Sequence, residues 1–296
     1  MKVKKLIDLA IGIGFLCLLA GIGAFVYNSQ HSYNISRDFN GVPLQFDPVD
    51  ASSTYPFDQA RVTVYGGFIK GIQKDKTGHD SLVIRALSPL PNVTVQGTAV
   101  GTVTLLLENI NPDFYAGSTT DSKLEMSKTT VNTLKINVPV DIGKTITINP
   151  VKPTATDPAG RDKYIILGDN RDGYDTFGQI IQQVNAAAPV FVIDNGDLVF
   201  SGKPNQYRLF DQTVSKLGTT LLTAPGNHDI RGNGRTSYTK LYGPVYYSFD
   251  FADSHFVFLD SAPGWAQKQA ITEEQYIWLE NDLKKAAGKQ IGRAHV

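Results

Sequence analysis

The stretch Thr220-Leu221-Leu222-Thr223-Ala224-Pro225-Gly226-Asn227-His228-Asp229 carries the clearest information on fold and chemistry in this chain. Its first five residues are apolar or β-branched, which predicts a buried strand. Pro225 and Gly226 end that strand. An Asn, a His and an Asp therefore follow one another at the point where the strand becomes a loop.

Two upstream segments repeat this arrangement of a buried strand and a polar end. Tyr164–Leu167 is followed by Gly168-Asp169, and Phe191–Ile193 is followed by Asp194-Asn195-Gly196-Asp197. In an open α/β sheet, ligands bind outside the carboxyl ends of the strands. Three strands that each bring a carboxylate, amide or imidazole to one edge can build a metal site.

The segments between these strands have helical periodicity. The predicted strands cover 164–168, 190–194 and 220–224, and apolar residues at helical spacing lie between them: Phe177, Ile180, Ile181 and Val184, then Leu209, Phe210, Val214 and Leu217. Alternating strands and helices predict a parallel or mixed α/β sheet. Further along, Tyr246–Phe251 and His255–Leu259 predict a hairpin, and Thr272 with Gln275 predicts a capped helix.

The preceding part of the chain has a different period. Between 61 and 150, apolar residues alternate with polar ones in short runs separated by Gly, Pro and Asn, which predicts an all-β sandwich domain. Residues 30–60 are polar and irregular, so we expect a spacer there. The Pro-rich stretch 151–162 predicts a linker to the α/β domain.

The N-terminus predicts a membrane signal over residues 1–29. Lys2, Lys4 and Lys5 precede an apolar run from Leu6 to Tyr27, which is long enough to cross a bilayer as a helix. The lysines favour the cytoplasmic side, which places the rest of the chain in the periplasm or outside the cell. We expect an uncleaved transmembrane anchor, and a cleaved signal with secretion is the alternative.

Composition excludes some classes of protein. The chain has 296 residues and 28 basic and 28 acidic side chains, for a formal net charge of zero. This balance argues against a nucleic-acid-binding surface, which would require a basic patch. The lone Cys17 excludes an intrachain disulfide and a cysteine zinc site.

The polar residues at the three strand ends suit metal-assisted hydrolysis of a phosphate ester. Such a reaction needs the charge on the phosphoryl oxygens neutralised and a nucleophile formed near neutral pH, and two metal ions supply both. Asp197 suits a bridging ligand, Asp169 a terminal ligand, and Asn227 a ligand of the second metal. His228 can assist the leaving oxygen, with Asp229 able to orient its ring.

The ordered set Gly168-Asp169, Gly196-Asp197 and Gly226-Asn227-His228-Asp229 resembles the calcineurin-like metallophosphoesterase superfamily. Tyr247–Phe249 and His255–Ser261 are similar to that family's next strands, and a preceding β-sandwich is similar to the purple acid phosphatases. The resemblance implies that 163–290 forms part of a four-layer α/β/β/α sandwich. It also implies two Fe, Mn or Zn ions and the hydrolysis of phosphomonoesters or phosphodiesters.

Two positions depart from the family pattern. The first motif has Asp169-Asn170-Arg171 where the family has Asp-x-His, and Phe200 stands where purple acid phosphatases have a tyrosine ligand. The first metal therefore lacks its usual extra ligand. Arg171 is either a bidentate contact for the substrate phosphate or a solvated loop charge, and the same two interpretations apply to Arg231.

The family's later histidine ligands have no counterpart after the last predicted helix. The final segment 291–296 has no apolar pattern and resembles translated sequencing adapter, so we expect a non-native tail, an incomplete 163–290 domain and an inactive 296-residue chain. The leading hypothesis is an extracytoplasmic, membrane-anchored metallophosphoesterase. The alternative is a non-catalytic, membrane-anchored β-sandwich protein with a degenerate phosphoesterase-like domain.

Overall fold

The computed structural model describes residues 44–116, 124–151, 162–262 and 271–292, and side chains up to 289. The predicted membrane segment 1–29 lies outside these ranges. Within them, none of the helices combines the length and apolar content needed to cross a bilayer. We call residues 44–151 the β region and residues 162–292 the α/β region.

The β region contains strands and one short 3-10 helix at Pro112–Tyr115. The strands are β1 (Ser52–Phe57), β2 (Ala60–Tyr65), β3 (Gly67–Lys74), β4 (Asp80–Ala86), β5 (Asn92–Gly97), β6 (Gly101–Glu108), β7 (Glu125–Thr130), β8 (Thr133–Val140) and β9 (Thr145–Ile148). They form one sheet in the order β1-β2-β5-β9 and another in the order β3-β4-β6-β8-β7. All neighbours are antiparallel except β4 and β6.

The period-two pattern of the β region is a consequence of one-sided burial. In β2, Val62 and Val64 are fully buried while Arg61 and Tyr65 are exposed. The alternating buried side chains of both sheets belong to one hydrophobic core. Strand β1 lies within residues 30–60, where the sequence predicts a spacer. The strand was not predicted because its serines, threonine and proline are typical of loops, although Ser53 and Phe57 are buried.

The α/β region alternates strands and helices, as predicted. Its elements are β10 (Tyr164–Leu167), α1 (Tyr174–Ala187), β11 (Phe191–Asp194), α2 (Pro204–Val214), β12 (Thr220–Thr223), α3 (Gly234–Tyr242), β13 (Tyr247–Phe251), β14 (Ser254–Phe258), α4 (Glu273–Lys285) and β15 (Gln290–Gly292). The parallel sheet β10-β11-β12 confirms the three predicted strands to within one residue at each end. The chain is thus a mixed α/β protein.

The parallel sheet packs on a second, three-stranded sheet of order β13-β14-β15 through aromatic rings. The ring of Phe191 in β11 makes edge contacts with Phe249, Phe251 and Phe256, at centroid distances of 5.6, 5.4 and 5.3 Å. Such edge-to-face contacts favour a defined packing as well as burial. Phe177 of α1 stacks on Phe210 of α2 instead, in a separate helical layer.

Helix α4 is bonded to the hairpin β13-β14 through buried polar groups. Ser248 donates to Asp282 Oδ1 at 2.8 Å, and His255 Nε2 lies 2.8 Å from Asp282 Oδ2. The other ring nitrogen of His255 lies 2.8 Å from Asp250 Oδ1. Because a buried carboxylate needs a compensating charge or donor, this network fixes the position of α4.

The β region and the α/β region meet at the edge strand β12. The side chain of Asn109 accepts from the Leu221 N–H at 2.9 Å and donates to the Leu221 carbonyl at 2.8 Å. It also donates to the Ala86 carbonyl at 3.0 Å. A single side-chain amide therefore bonds the free edge of β12 to the β region.

Helix α3 was not predicted. The sequence after Asp229 contains Gly232 and Gly234, which indicate a loop, and Gly234 begins the helix. The helix is held by tertiary burial, since Tyr238 and Tyr242 are almost fully buried. Strand β15 spans Gln290–Gly292, so the predicted tail 291–296 begins within a strand; residues 293–296 lie outside the described ranges.

Candidate functional site

The three predicted strand ends meet at one edge of the parallel sheet. Asp169 N–H donates to the Gly196 carbonyl at 3.1 Å, and Ala224 N–H donates to the Asp194 carbonyl at 3.1 Å. These bonds continue the pairing of β10, β11 and β12 beyond the regular strands. The loops after the three strands are therefore in contact with one another.

Glycine is required where the second and third loops cross. A Cβ on Gly226 would lie 2.3 Å from the backbone nitrogen of Asp197, and a Cβ on Gly196 would lie 2.6 Å from the backbone nitrogen of Gly226. Gly196 also has a φ of +102°, which L side chains rarely adopt. Gly196 and Gly226 thus allow the second and third loops to approach, whereas a Cβ on Gly168 would meet no atom closer than 3.6 Å.

Asp169 and Asp197 occupy equivalent positions after neighbouring strands. Both have left-handed backbone conformations, with φ of 58° and 56°, which Asp tolerates better than most residues. Nη1 of Arg171 lies 2.9 Å from Asp169 Oδ1 and also forms a short contact with Asp197 Oδ2. The two carboxylates therefore converge on one cationic group.

Asp197 of the second loop and His228 of the third loop contact each other. The backbone N–H of His228 donates to Asp197 Oδ1 at 3.1 Å, and His228 Nε2 lies 4.0 Å from Asp197 Oδ2. The imidazole Nδ1 is 2.6 Å from the Phe200 carbonyl, and Nε2 is 2.8 Å from Nη2 of Arg231. A carbonyl only accepts and a guanidinium only donates, so we assign the neutral ring with its proton on Nδ1.

Asp229 is fully buried and bonds to the backbone instead of the His228 ring. Its Oδ1 accepts from the Val199 N–H and its Oδ2 from the Gly226 N–H, each at 2.8 Å. Burial raises the pKa of Asp229 to about 7, against the lowering effect of these backbone donors. The ring of His228 is instead oriented by Phe200 and Arg231, and Asp229 joins the loops that carry it.

A second buried acid lies beneath the site. Burial and the nearby charge of Asp229 raise the pKa of Asp194 to about 8. Asn170 donates to Asp194 Oδ2 at 3.1 Å, while Asp194 Oδ1 and Asn170 Oδ1 have no hydrogen-bond partner within the described residues. A proton on Asp194 Oδ1 is the state that this surrounding favours.

The oxygen donors of the site have the chemistry that divalent cations require. Asp169 and Asp197 present carboxylates to one position, and Asn227 is exposed in the adjacent loop. Carboxylate and carbonyl oxygens suit hard cations such as Mn²⁺. Within the described ranges, however, no three His, Cys, Asp or Glu side chains cluster closely enough to hold a metal ion by themselves.

The structure thus brings together six of the seven predicted site residues through these contacts, Asp169, Arg171, Asp197, His228, Asp229 and Arg231, and Asn227 is exposed next to His228 in the third loop. Arg235, further along the same segment, is instead paired with Asp260 at 2.7 Å. Sequence reasoning missed the contribution of Phe200, whose backbone carbonyl holds the His228 ring. No sequence signal reveals a backbone contact of this kind.

Comparison with known proteins shows a family similarity over the part of the chain that carries these motifs. Residues 163–295 match the family model described as calcineurin-like phosphoesterase. This part of the chain, a little under half of its length, is therefore similar to that family.

Individual relatives match over a limited part of their length. Glycerophosphodiester phosphodiesterase GpdQ of Enterobacter lignolyticus (strain SCF1) is 28% identical over 120 residues, which cover 37% of this chain and 43% of that protein. A protein named probable glycerophosphodiester phosphodiesterase GpdQ, from Arcobacter nitrofigilis, is 27% identical over 114 residues. These residues cover 35% of this chain and 40% of that protein. This chain therefore spans less than half the length of either relative.

A solved structure is also similar to this chain. It is purple acid phosphatase PPD1 from yellow lupin (Lupinus luteus) seeds, with 14% identity and a TM-score of 0.37. The match covers 77% of this chain and 54% of that one.

Proposed function

We propose that the α/β region hydrolyses phosphate esters, either phosphomonoesters or phosphodiesters. The observation that carries the proposal is the position of Asp197, whose carboxylate contacts Arg171 of the first loop and the backbone of His228 in the third. The three motifs therefore form one site. The family match and the phosphodiesterase names of the two curated relatives support this substrate class.

The residues that would hold metal ions are Asp169, Asp197 and Asn227, with Asp197 in the bridging position. Two ions are proposed, each Fe, Mn or Zn. When bound, they would neutralise charge on the phosphoryl oxygens and supply a nucleophilic water at neutral pH.

In this proposal His228 and Arg231, which lie beside Asp197, act on the substrate. Arg231 donates to His228 Nε2 before substrate binds, which keeps that nitrogen free of a proton. When the guanidinium moves to the phosphoryl oxygens, Nε2 becomes available to take a proton from solvent water, and the resulting imidazolium passes that proton to the leaving oxygen. The Phe200 carbonyl holds Nδ1–H throughout and keeps the ring in place.

Asp229 is a positioning residue in this scheme. Its buried carboxylate joins the backbone of Val199 to that of Gly226, and so fixes the distance between the second and third loops. Loss of that carboxylate would displace Asp197 relative to His228. Small displacements of catalytic groups reduce rates strongly, because the reacting geometry is narrow.

The wider architecture proposed for the α/β region is part of a four-layer α/β/β/α sandwich, with the β region as a β-sandwich domain. The aromatic contact between β11 and the hairpin β13-β14 supports two sheets packed face to face. Helix α4 bonds to the far side of that hairpin through Asp282. Helices α1 and α2 pack together in a layer of their own.

Residues 1–29 are proposed to anchor the protein in a membrane, with the α/β region outside the cytoplasm. The support is the lysine cluster before the apolar run in the sequence. Fractionation and protease treatment of intact cells or spheroplasts test this. Protection of the α/β region from external protease would contradict the proposal, and release into the medium would favour the cleaved-signal alternative.

Turnover of p-nitrophenyl phosphate and bis-p-nitrophenyl phosphate, with Mn²⁺, Fe²⁺ or Zn²⁺ added, tests the proposed reaction. We expect Asp197→Asn and His228→Ala each to lower kcat/KM by about 100-fold or more. Asp253→Asn, at an exposed turn between β13 and β14, is the matched control and should leave the rate unchanged. No turnover with any metal, or equal rates in all variants, would refute the proposal.

A second candidate function is a non-catalytic, membrane-anchored protein with a degenerate phosphoesterase domain. The observation that favours it is the guanidinium of Arg171 between the two carboxylates proposed as metal ligands. This candidate predicts that the folded protein shows neither turnover nor metal binding under the conditions above.

A further inference from the structure

Arg171 occupies the meeting point of the first two motifs. Its Nη1 contacts carboxylate oxygens of both Asp169 and Asp197, and its Nε lies 3.9 Å from Asp172 Oδ2. The Arg171 side chain is 31% exposed, and that of Asp197 is 13% exposed. Arg171 is therefore a partly buried ion-pair partner of both carboxylates.

Both carboxylate oxygens of Asp197 are in contact with other groups of the chain. Oδ1 accepts from the His228 N–H, and Oδ2 is in contact with Arg171. A divalent cation that binds Asp197 must use these same oxygens. A guanidinium stays protonated throughout the usual pH range, so it can leave the carboxylates only by a movement of the side chain.

We propose that Arg171 is a displaceable internal counter-ion that competes with a divalent cation for Asp169 and Asp197. The proposal rests on the metal-binding role given to these carboxylates in the proposed function. With no metal bound, the guanidinium holds the two carboxylates together and neutralises one of their charges. A metal ion must displace it, and the affinity of the site is lowered accordingly.

The charges at the site favour competition between the guanidinium and a divalent cation over simultaneous binding of both. Two carboxylates carry a charge of −2, and the guanidinium reduces the sum to −1. A divalent cation in the same place would bring it to zero, whereas cation and guanidinium together would leave +1 between Asp197, which is 13% exposed, and Asp169, which is 76% exposed. Like charges at such distances repel strongly when water is partly excluded.

The test is Mn²⁺ binding to the full 296-residue chain, measured by isothermal titration calorimetry and by electron paramagnetic resonance of free Mn²⁺. Arg171→Met removes the charge and keeps most of the side-chain volume, and we expect it to bind Mn²⁺ about tenfold more tightly or better. Arg171→Lys keeps the charge and should bind close to the wild type.

Arg231→Met is the matched control. It removes the same charge from the same site, but Arg231 contacts His228 and the Phe200 carbonyl, not the two carboxylates. We expect a smaller gain in Mn²⁺ affinity than in Arg171→Met. An equal gain in Mn²⁺ affinity in the two variants would overturn direct competition. It would show that the gain comes from the change in net charge and not from the loss of the Arg171 contacts.

Thermal melting supplies a second readout. In EDTA, Arg171→Met should melt at a lower temperature than the wild type, because the carboxylates of Asp169 and Asp197 then repel each other. Added Mn²⁺ should raise its melting temperature more than that of the wild type. Equal metal-induced shifts, or no Mn²⁺ binding by either protein, would overturn the proposal.

These measurements separate this inference from the proposed function. Tighter Mn²⁺ binding by Arg171→Met without turnover of either ester would support the competition and count against hydrolysis. Turnover by the wild type, together with unchanged Mn²⁺ affinity in Arg171→Met, would support hydrolysis and count against the competition.

Discussion

The β region and the α/β region use charged side chains differently. In the β region, the pairs Lys74–Asp80, Lys128–Asp113 and Lys144–Asp141 lie at the surface, whereas the Lys70 side chain, paired with Glu108, is only 6% exposed. In the α/β region, four aspartates are buried: Asp194, Asp229, Asp260 and Asp282. The alternating aliphatic side chains of the β region are buried in a core that continues into the α/β region.

This difference follows from what each region must position. A sheet core needs only apolar burial, which is non-directional. A site that assembles three loops needs directional contacts, and buried carboxylates supply these by accepting backbone N–H groups, as Asp229 does for Val199 and Gly226. The cost is a set of charges that are held away from water. The α/β region should therefore be the more sensitive to polar substitutions and to pH.

The largest expected effect on stability comes from the buried His255. Its two ring nitrogens each lie 2.8 Å from a carboxylate, of Asp250 and Asp282. His255→Ala leaves Asp282 buried with only the Ser248 hydroxyl, so we expect a loss of about 3–5 kcal/mol in unfolding free energy. Urea denaturation measures it, with Lys284→Ala of the exposed Lys284–Glu280 pair as control. A loss of unfolding free energy no larger than that of Lys284→Ala would contradict the view that buried charged groups matter more to stability than exposed ones.

The pH dependence of unfolding tests the buried Asp194. Its pKa is about 8 in the folded protein and 3.8 in a solvated carboxyl, so the folded state binds the proton more tightly. Stability should therefore fall as pH rises from about 4 to 8, and Asp229, with a pKa of about 7, adds a change of the same sign.

Asp194→Asn removes the ionisable group, and we expect it to stabilise the protein relative to wild type by a few kcal/mol, on the order of 3, at pH 9. Near pH 4 the two proteins should differ little. Denaturation in EDTA at both pH values measures this, with the exposed Asp175→Asn as control. A pH-independent difference between Asp194→Asn and wild type would contradict the assignment.

A smaller effect is expected at the contact between the two regions. Asn109→Ala removes both bonds to Leu221 and the bond to Ala86, and leaves buried backbone groups without partners. We expect a loss of about 1–3 kcal/mol. Denaturant titration followed separately by near-ultraviolet and far-ultraviolet circular dichroism measures it. An unchanged midpoint would show that Asn109 does not couple the regions.

The smallest effect is expected at the surface of the β region. Lys74→Ala breaks an ion pair of 2.7 Å between side chains that are 58% and 43% exposed. Exposed pairs contribute little, so the loss should be under about 1 kcal/mol. The midpoint of urea unfolding measures it. A loss comparable to that of His255→Ala would show that exposure does not explain the difference between the two regions.

The sequence predicts the parallel sheet well because its information is local. Each strand is a run of β-branched or apolar residues that ends at a polar loop, and Gly196 and Gly226 mark the point where two of these loops cross. Helix α3 could not be predicted in this way. Its glycines favour a loop, and the burial of Tyr238 and Tyr242 that stabilises it depends on contacts with distant residues.

The residues of the candidate site were predictable, but their contacts were not. The order and spacing of Asp169, Asp197 and His228 identify them from the sequence. The ion pairs of Arg171 depend on how two loops face each other across a sheet edge. Local patterns carry no information about such pairs, and the same holds for the contact between Phe200 and His228.

The Asn109 amide on strand β12 has a consequence for self-association. In the described part of the chain, β12 is an edge strand of the parallel sheet, and unpaired edges are templates for strand addition by other molecules. Asn109 covers both main-chain groups of Leu221 on that edge. The β region thus blocks the addition of a strand from another molecule at Leu221. An α/β region expressed without the β region should aggregate through β12.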